Sequence, residues 1–148
     1  MRTPVILVGV DGSEQSGAAL RWALKEAVRF GARVEAVLAY HQEPAFVPAT
    51  SMGLHPYGEQ PHRHPARDLH RAVEQARAAV PGAPDVAETV VVGDAADHLA
   101  EASKHAELLV IGTHGHGALA QALLGGVAAK CLRDAECPVV VIPPHAAR

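Results

Sequence analysis

Apolar and polar positions follow two different periods along the chain, and the period decides what each stretch forms. Residues 4–10, PVILVGV, are apolar without interruption and mostly β-branched. That is how a strand buried on both faces reads. From Glu14 the period becomes helical. Leu20, Ala23, Leu24, Ala27 and Phe30 share one face, while Arg21, Lys25 and Arg29 recur at every fourth position on another. Ser13 is the expected N-cap of this helix and Gly31 its stop. Arg33 to Tyr40, RVEAVLAY, predicts a second strand. Helical spacing returns over 65–80, where Leu69, Ala72, Val73 and Ala76 align before PGAP breaks the pattern. Val86 to Val92 is the third predicted strand, and Asp94 is placed to cap a helix over 95–106. Glu107 to Gly112 reads as a fourth strand, Val127 to Arg133 as a helix, and Pro138 to Ile142 as a last strand.

Strands that alternate with helices imply right-handed βαβ units: an open parallel α/β sheet with helices on both faces. In such sheets ligands bind beyond the carboxyl ends of the strands, where strand order reverses. Two of those ends carry unusual chemistry, VGVDGS after the first strand and IGTHGHG after the fourth. If these strands are neighbours, the two turns face each other across one crevice. The pattern lapses only over 41–64, which is rich in Pro, Gly and His and has no period. A segment of that kind predicts a mobile loop, functional or otherwise. No internal repeat or second apolar core is apparent, so residues 1–148 are expected to form one domain.

Composition narrows the function. A chain of 148 residues is long enough for one self-sufficient core. Its net charge of −3, with arginines scattered rather than clustered, argues against nucleic acid as a partner. No apolar run is long enough for a secretory core or a membrane span, which predicts a cytoplasmic protein with no membrane partner. Cys131 and Cys137 stand six apart with no CxxC, and read as free thiols used as small apolar groups.

The glycine-rich stretch VIGTHGHGALAQALLGGVAAKCL, Val110 to Leu132, holds the candidate chemistry. It is neither the dinucleotide fingerprint, since Gly112, Gly115 and Gly117 give the wrong order, nor a P-loop, since no Gly-Lys-Ser/Thr follows. His114 and His116 lack a further ligand for a metal, and His62 and His64 offer only an adventitious pair. No nucleophile is set against a base. Glycines feeding a helix N-terminus do suit an anion, because backbone N–H groups and the helix dipole converge there. Asp11 at the facing turn would repel a phosphate, so it suits the other end of a ligand, as acceptor for a ribose diol. Two simpler roles stand beside these: Asp11 as a turn residue, and the glycines as a tight loop that packs a helix on the sheet.

At these residues the chain resembles the universal stress protein family over nearly its whole length. The opening strand ending in Val-Asp-Gly-Ser, the stretch VVGDAADHLAEASKHAELLVIGTHGHG and the closing CPVVVIP carry the likeness. The resemblance implies a Rossmann-like five-stranded sheet ordered 3-2-1-4-5 in a homodimer. It also implies ATP binding through G-x2-G-x9-G-Ser/Thr, for which Gly112, Gly115 and Gly125 have the required spacing. By position, Asp11 would hold the ribose, and Val10, Ala39 and Ile111 would surround the adenine. Gly112 and Gly115 would admit sugar and phosphates, Gly125, Gly126 and Val127 would bind the distal phosphates, and His116 stands where relatives often carry Arg or Lys. The departures are Gly126 and Ala128, which lack the hydroxyls of the ATP-binding branch and keep ADP or AMP in play. Mg2+ with the nucleotide is left open. The expected role is therefore an adenine-nucleotide-binding stress-response regulator, not an enzyme. The alternatives are a dimeric interaction protein that binds no nucleotide and a slow ATP hydrolase. The final strand, with Val139, Val140, Val141 and Ile142 in succession, is the expected dimer edge.

Overall fold

A computed structural model of the chain describes residues 2–41, 64–113 and 124–143. In chain order these form β1 (Val5–Gly9), α1 (Glu14–Phe30), β2 (Arg33–Tyr40), α2 (Pro65–Ala78), β3 (Val86–Val92), α3 (Ala95–Ser103), β4 (Leu108–Gly112), α4 (Gly126–Asp134) and β5 (Val139–Ile142). The five strands make one sheet in the order β3-β2-β1-β4-β5, and every neighbouring pair is parallel. The α/β architecture expected from the alternating pattern and the 3-2-1-4-5 order implied by the resemblance are both observed. The loop expected over 41–64 falls, apart from His41 and His64, outside the described residues.

Apolar residues on β1 serve two cores because successive side chains leave the strand on opposite faces. Ile6 and Val8 pack with Leu20 and Leu24 of α1 and Leu69 and Val73 of α2. Leu7 points the other way and packs with Leu99 of α3 and with Ala128 and Cys131 of α4. Leu7, Leu20, Leu24, Leu69 and Leu99 are all fully buried, and each such side chain contributes about 1.5–3 kcal/mol relative to exposure. Gly9 at the end of β1 lets α3 come close to the sheet. A Cβ there would meet Leu99 Cδ1 at 2.9 Å and Ile111 Cγ2 at 3.3 Å.

Local signals fix most helix ends. The Ser13 hydroxyl accepts the Ser16 N–H at the start of α1, and Gly31 closes that helix in the left-handed region with φ 67°. The Asp94 side chain accepts the Asp97 N–H at the start of α3. Two helices stop earlier than their periodicity suggests. α2 ends at Ala78 rather than residue 80, and α3 at Ser103 rather than residue 106. In both, the last residues keep their apolar spacing but bond three residues back, as in Val80 N–H to Arg77 O and Ala106 N–H to Ser103 O. The final turn tightens, as helix ends commonly do. No helix among the described residues is long and apolar enough to cross a membrane.

Candidate functional site

β1 and β4 lie side by side, with Ile6, Leu7 and Val8 opposite Leu108, Leu109 and Val110. Their carboxyl ends therefore open onto one crevice. On the β1 side, Val10 is buried and its N–H reaches Val37 O at 2.9 Å. The chain then turns sharply through Gly12, whose φ of 85° is open to glycine and costly for other residues. Asp11 Oδ1 accepts the Ser13 N–H at 2.8 Å, while the Asp11 N–H reaches Ser16 Oγ at 3.3 Å. The turn role considered for Asp11 is thus present. Aspartate side chains that bond two residues on stabilise such turns, and here the bond fixes where the carboxylate stands.

On the β4 side, Ile111 is buried beside Val141, and Gly112 pairs with Ile142. Thr113 follows as a junction. Its hydroxyl donates to Gln15 Oε1 of α1 at 2.8 Å, and its carbonyl accepts the Gly125 N–H at 2.6 Å. The second bond joins the end of β4 to the start of α4 across the glycine-rich segment. The first ties that junction to α1. Neither contact is legible in the sequence, because Thr113 and Gln15 stand 98 positions apart. The hint available was a hydroxyl directly after Gly112, at a strand end where apolar residues give way.

α4 opens differently from α1 and α3. Gly125 is its N-cap, in extended geometry with φ −70° and ψ 168°, and it gives no side-chain cap. Gly126 and Val127, the first residues of the helix, are exposed. The Cβ position at Gly126 has no heavy atom within 4 Å. The first N–H groups of a helix lack intrahelical partners, and glycine at the cap supplies no side chain to meet them. Ala39 lies on β2, partly buried, in register with Val91. Gly115 and His116, with His114, lie outside the described residues.

Two further features lie on α4. Lys130, one turn into α4, meets Asp97 Oδ1 at 2.7 Å and Asp94 Oδ1 at 3.7 Å, both at the start of α3. Cys131 is buried beside it, and burial pushes its thiol up to about 11, which makes it inert at neutral pH. Among the described residues, no group of three or more His, Cys, Asp and Glu side chains is arranged to hold a metal ion. The carboxyl ends of β1 and β4 thus carry a carboxylate-bearing turn on one side and, on the other, a helix start with no side-chain cap, while Val10 and Ile111 are buried in the cores on the two faces of the sheet.

Known proteins share both the sequence pattern and the fold. A profile described as the Universal stress protein family matches residues 3–143. A universal stress protein of Mycobacterium tuberculosis is 35% identical over 141 residues, covering 93% of this chain and 46% of its own length. The chain thus spans about half the length of the curated relatives it matches. Among solved structures, a universal stress protein in complex with cAMP aligns with a TM-score of 0.67 at 29% identity, covering 97% of this chain and 98% of that one. UspA from Lactobacillus plantarum aligns with a TM-score of 0.74 at 26% identity, covering 96% and 99% of the two chains.

Proposed function

The chain belongs to the universal stress protein family, and from that premise we propose that it is an adenine-nucleotide-binding regulatory protein of the stress response, working as a homodimer. The observation that carries this reading is the β1–β4 adjacency, which sets the Asp11 turn and a helix start with no side-chain cap after neighbouring parallel strands. Asp11 would accept hydrogen bonds from the ribose, and Val10, Ala39 and Ile111 would flank the adenine. Gly112 and Gly115 would admit the sugar and first phosphate, and the N–H groups of Gly126 and Val127 would hold the phosphate, with His116 nearby. Gly125, whose own N–H goes to Thr113 O, would contribute as the turn into the helix. A structural relative that binds cAMP supports an adenine ligand. The ligand would be held and released rather than transformed.

Dimerisation would use β5. This strand is an edge of the sheet, and Val139, Val140 and Val141 are only partly buried in the isolated chain. An uninterrupted apolar edge invites pairing, and an antiparallel copy would cover it and satisfy its backbone groups. A second reading, a dimeric interaction protein without nucleotide, draws on one observation: neither Gly126 nor Ala128 offers a hydroxyl to a phosphate. Titration calorimetry with AMP, cAMP, ADP and ATP decides between them. Micromolar to low-millimolar binding that drops in Asp11→Ala supports the nucleotide reading. No heat with any of the four gives the second.

A further inference from the structure

The stretches of sequence that follow β1 and β4 carry an unusual charge inventory. From Val10 to Gln15 there are two acids, Asp11 and Glu14, and no Lys or Arg. From Thr113 to Ala129 there is no Lys, Arg, Asp or Glu, and the titratable side chains are His114 and His116. The first cation after the glycines is Lys130, four residues beyond Gly126 and hence on the same face of α4. Lysine side chains on a helix lean toward its N-terminus. In that direction stands Gly126, whose Cβ position has no heavy atom within 4 Å. Lys130 does not take that path. Its ammonium is held sideways by Asp97 at 2.7 Å, with Asp94 at 3.7 Å. The other cation of α4, Arg133, is held by Asp134 at 3.0 Å and 3.2 Å. One phosphate can be met by the N–H groups at the helix start. Each further phosphate adds negative charge, meets no Lys or Arg from these stretches, only imidazoles largely neutral above their ordinary pKa, and feels the carboxylates of Asp11 and Glu14.

Resting on the nucleotide reading above, we infer that Asp97 sequesters Lys130 and thereby sets the crevice to prefer adenine monophosphates, cyclic or linear, over ATP. Asp97 is then a specificity determinant that never touches the ligand. Neutralising it releases the ammonium to extend over Gly126 toward a second or third phosphate. Asparagine keeps the side-chain shape, and the Asp97 N–H bond to Asp94 at 3.1 Å is a backbone contact that the change leaves intact. The preference also has an ionic signature. Repulsion is strongest at low salt, where the screening length is about 30 Å at 0.01 M, and fades as it falls below about 10 Å above 0.1 M.

The test is calorimetry of the full chain with AMP and ATP, without divalent metal, at about 10 mM and about 300 mM NaCl. In the wild type AMP should bind at least about fivefold more tightly than ATP at low salt, and the gap should narrow at high salt. Asp97→Asn should raise ATP affinity about fivefold relative to AMP, and Asp97→Asn/Lys130→Gln should lose that gain. Tighter ATP than AMP in the wild type, or an unchanged ratio in Asp97→Asn, overturns the inference while leaving nucleotide binding in place. If neither nucleotide binds the wild type, the reading beneath it fails as well.

Discussion

Two helices start at the same edge of the sheet, after adjacent strands, and they finish their first turns in opposite ways. α1 is closed by its own sequence. Ser13 accepts the Ser16 N–H, Ser16 Oγ donates back to Ser13 O, and Asp11 holds the Ser13 N–H. α4 begins with Gly125-Gly126-Val127 and has no side-chain cap. Both ends have the same unmet N–H groups in principle, so the difference lies wholly in what the chain supplies. A helix start that caps itself is finished structure. A neighbouring start without a side-chain cap has, in the proposed reading, donors to give a ligand.

The largest way to break this comparison is at Asp11, which serves both sides. Asp11→Ala should lower nucleotide affinity about a hundredfold, the loss of two charge-assisted hydrogen bonds of about 1.5–3 kcal/mol each, only partly additive. Asp11→Asn should keep the turn, and with it most of the stability, while still weakening binding about tenfold. Calorimetry and thermal melts on both variants separate the two roles. Next is Gly126→Ser, which restores a hydroxyl where nothing crowds a Cβ. One added hydrogen bond to phosphate should tighten binding about tenfold.

Ser13→Ala would make α1 resemble α4. The lost cap costs about 1 kcal/mol, a melting point lower by about 2–4 °C for a chain of this size, with little change in ligand affinity. Gly125→Ser does the reverse and gives α4 a cap of its own. Stability should rise by a few tenths of a kcal/mol while nucleotide binding weakens about two- to threefold, because the new hydroxyl occupies a donor that the phosphate needs.

The smallest effect concerns α3, whose cap is a carboxylate. Asp94 titrates below the usual 3.8, chiefly because the Asp97 N–H donates to it and also because Lys130 stands near. A depressed carboxyl pKa gives stability that is full above the unfolded value and lost as pH falls through the folded one. Between about pH 5 and pH 3 the wild type should therefore lose slightly more stability than Asp94→Asn, which keeps a cap without a charge. Urea unfolding at the two pH values measures the difference.

Much of this was legible in the sequence because it is local or periodic. The runs PVILVGV and ELLVIG read as buried strands, and Ser13, Gly31 and Asp94 announced helix ends that the structure has. The strand order came from family likeness, since a parallel sheet leaves no mark in the sequence of which strands adjoin. Helix ends at residues 80 and 106 were overrun because Val80 and Ala106 keep apolar spacing after the bonding has changed. At the site, the Asp11 turn and the Gly125-Gly126 start were visible as types of residue. The bond from Thr113 to Gln15 and the capture of Lys130 by Asp97 were not, because each joins elements far apart in the chain and depends on how helices settle on the sheet.

The contrast between the two helix starts is most directly tested by amide hydrogen exchange with and without AMP. Added AMP should protect the N–H groups of Gly126, Val127 and Ala128, and leave those of Ser16 and Gly17, already bonded to Ser13, at their unliganded rates. Equal protection at both helix starts, or none at α4 with AMP at saturating concentration, would contradict the account.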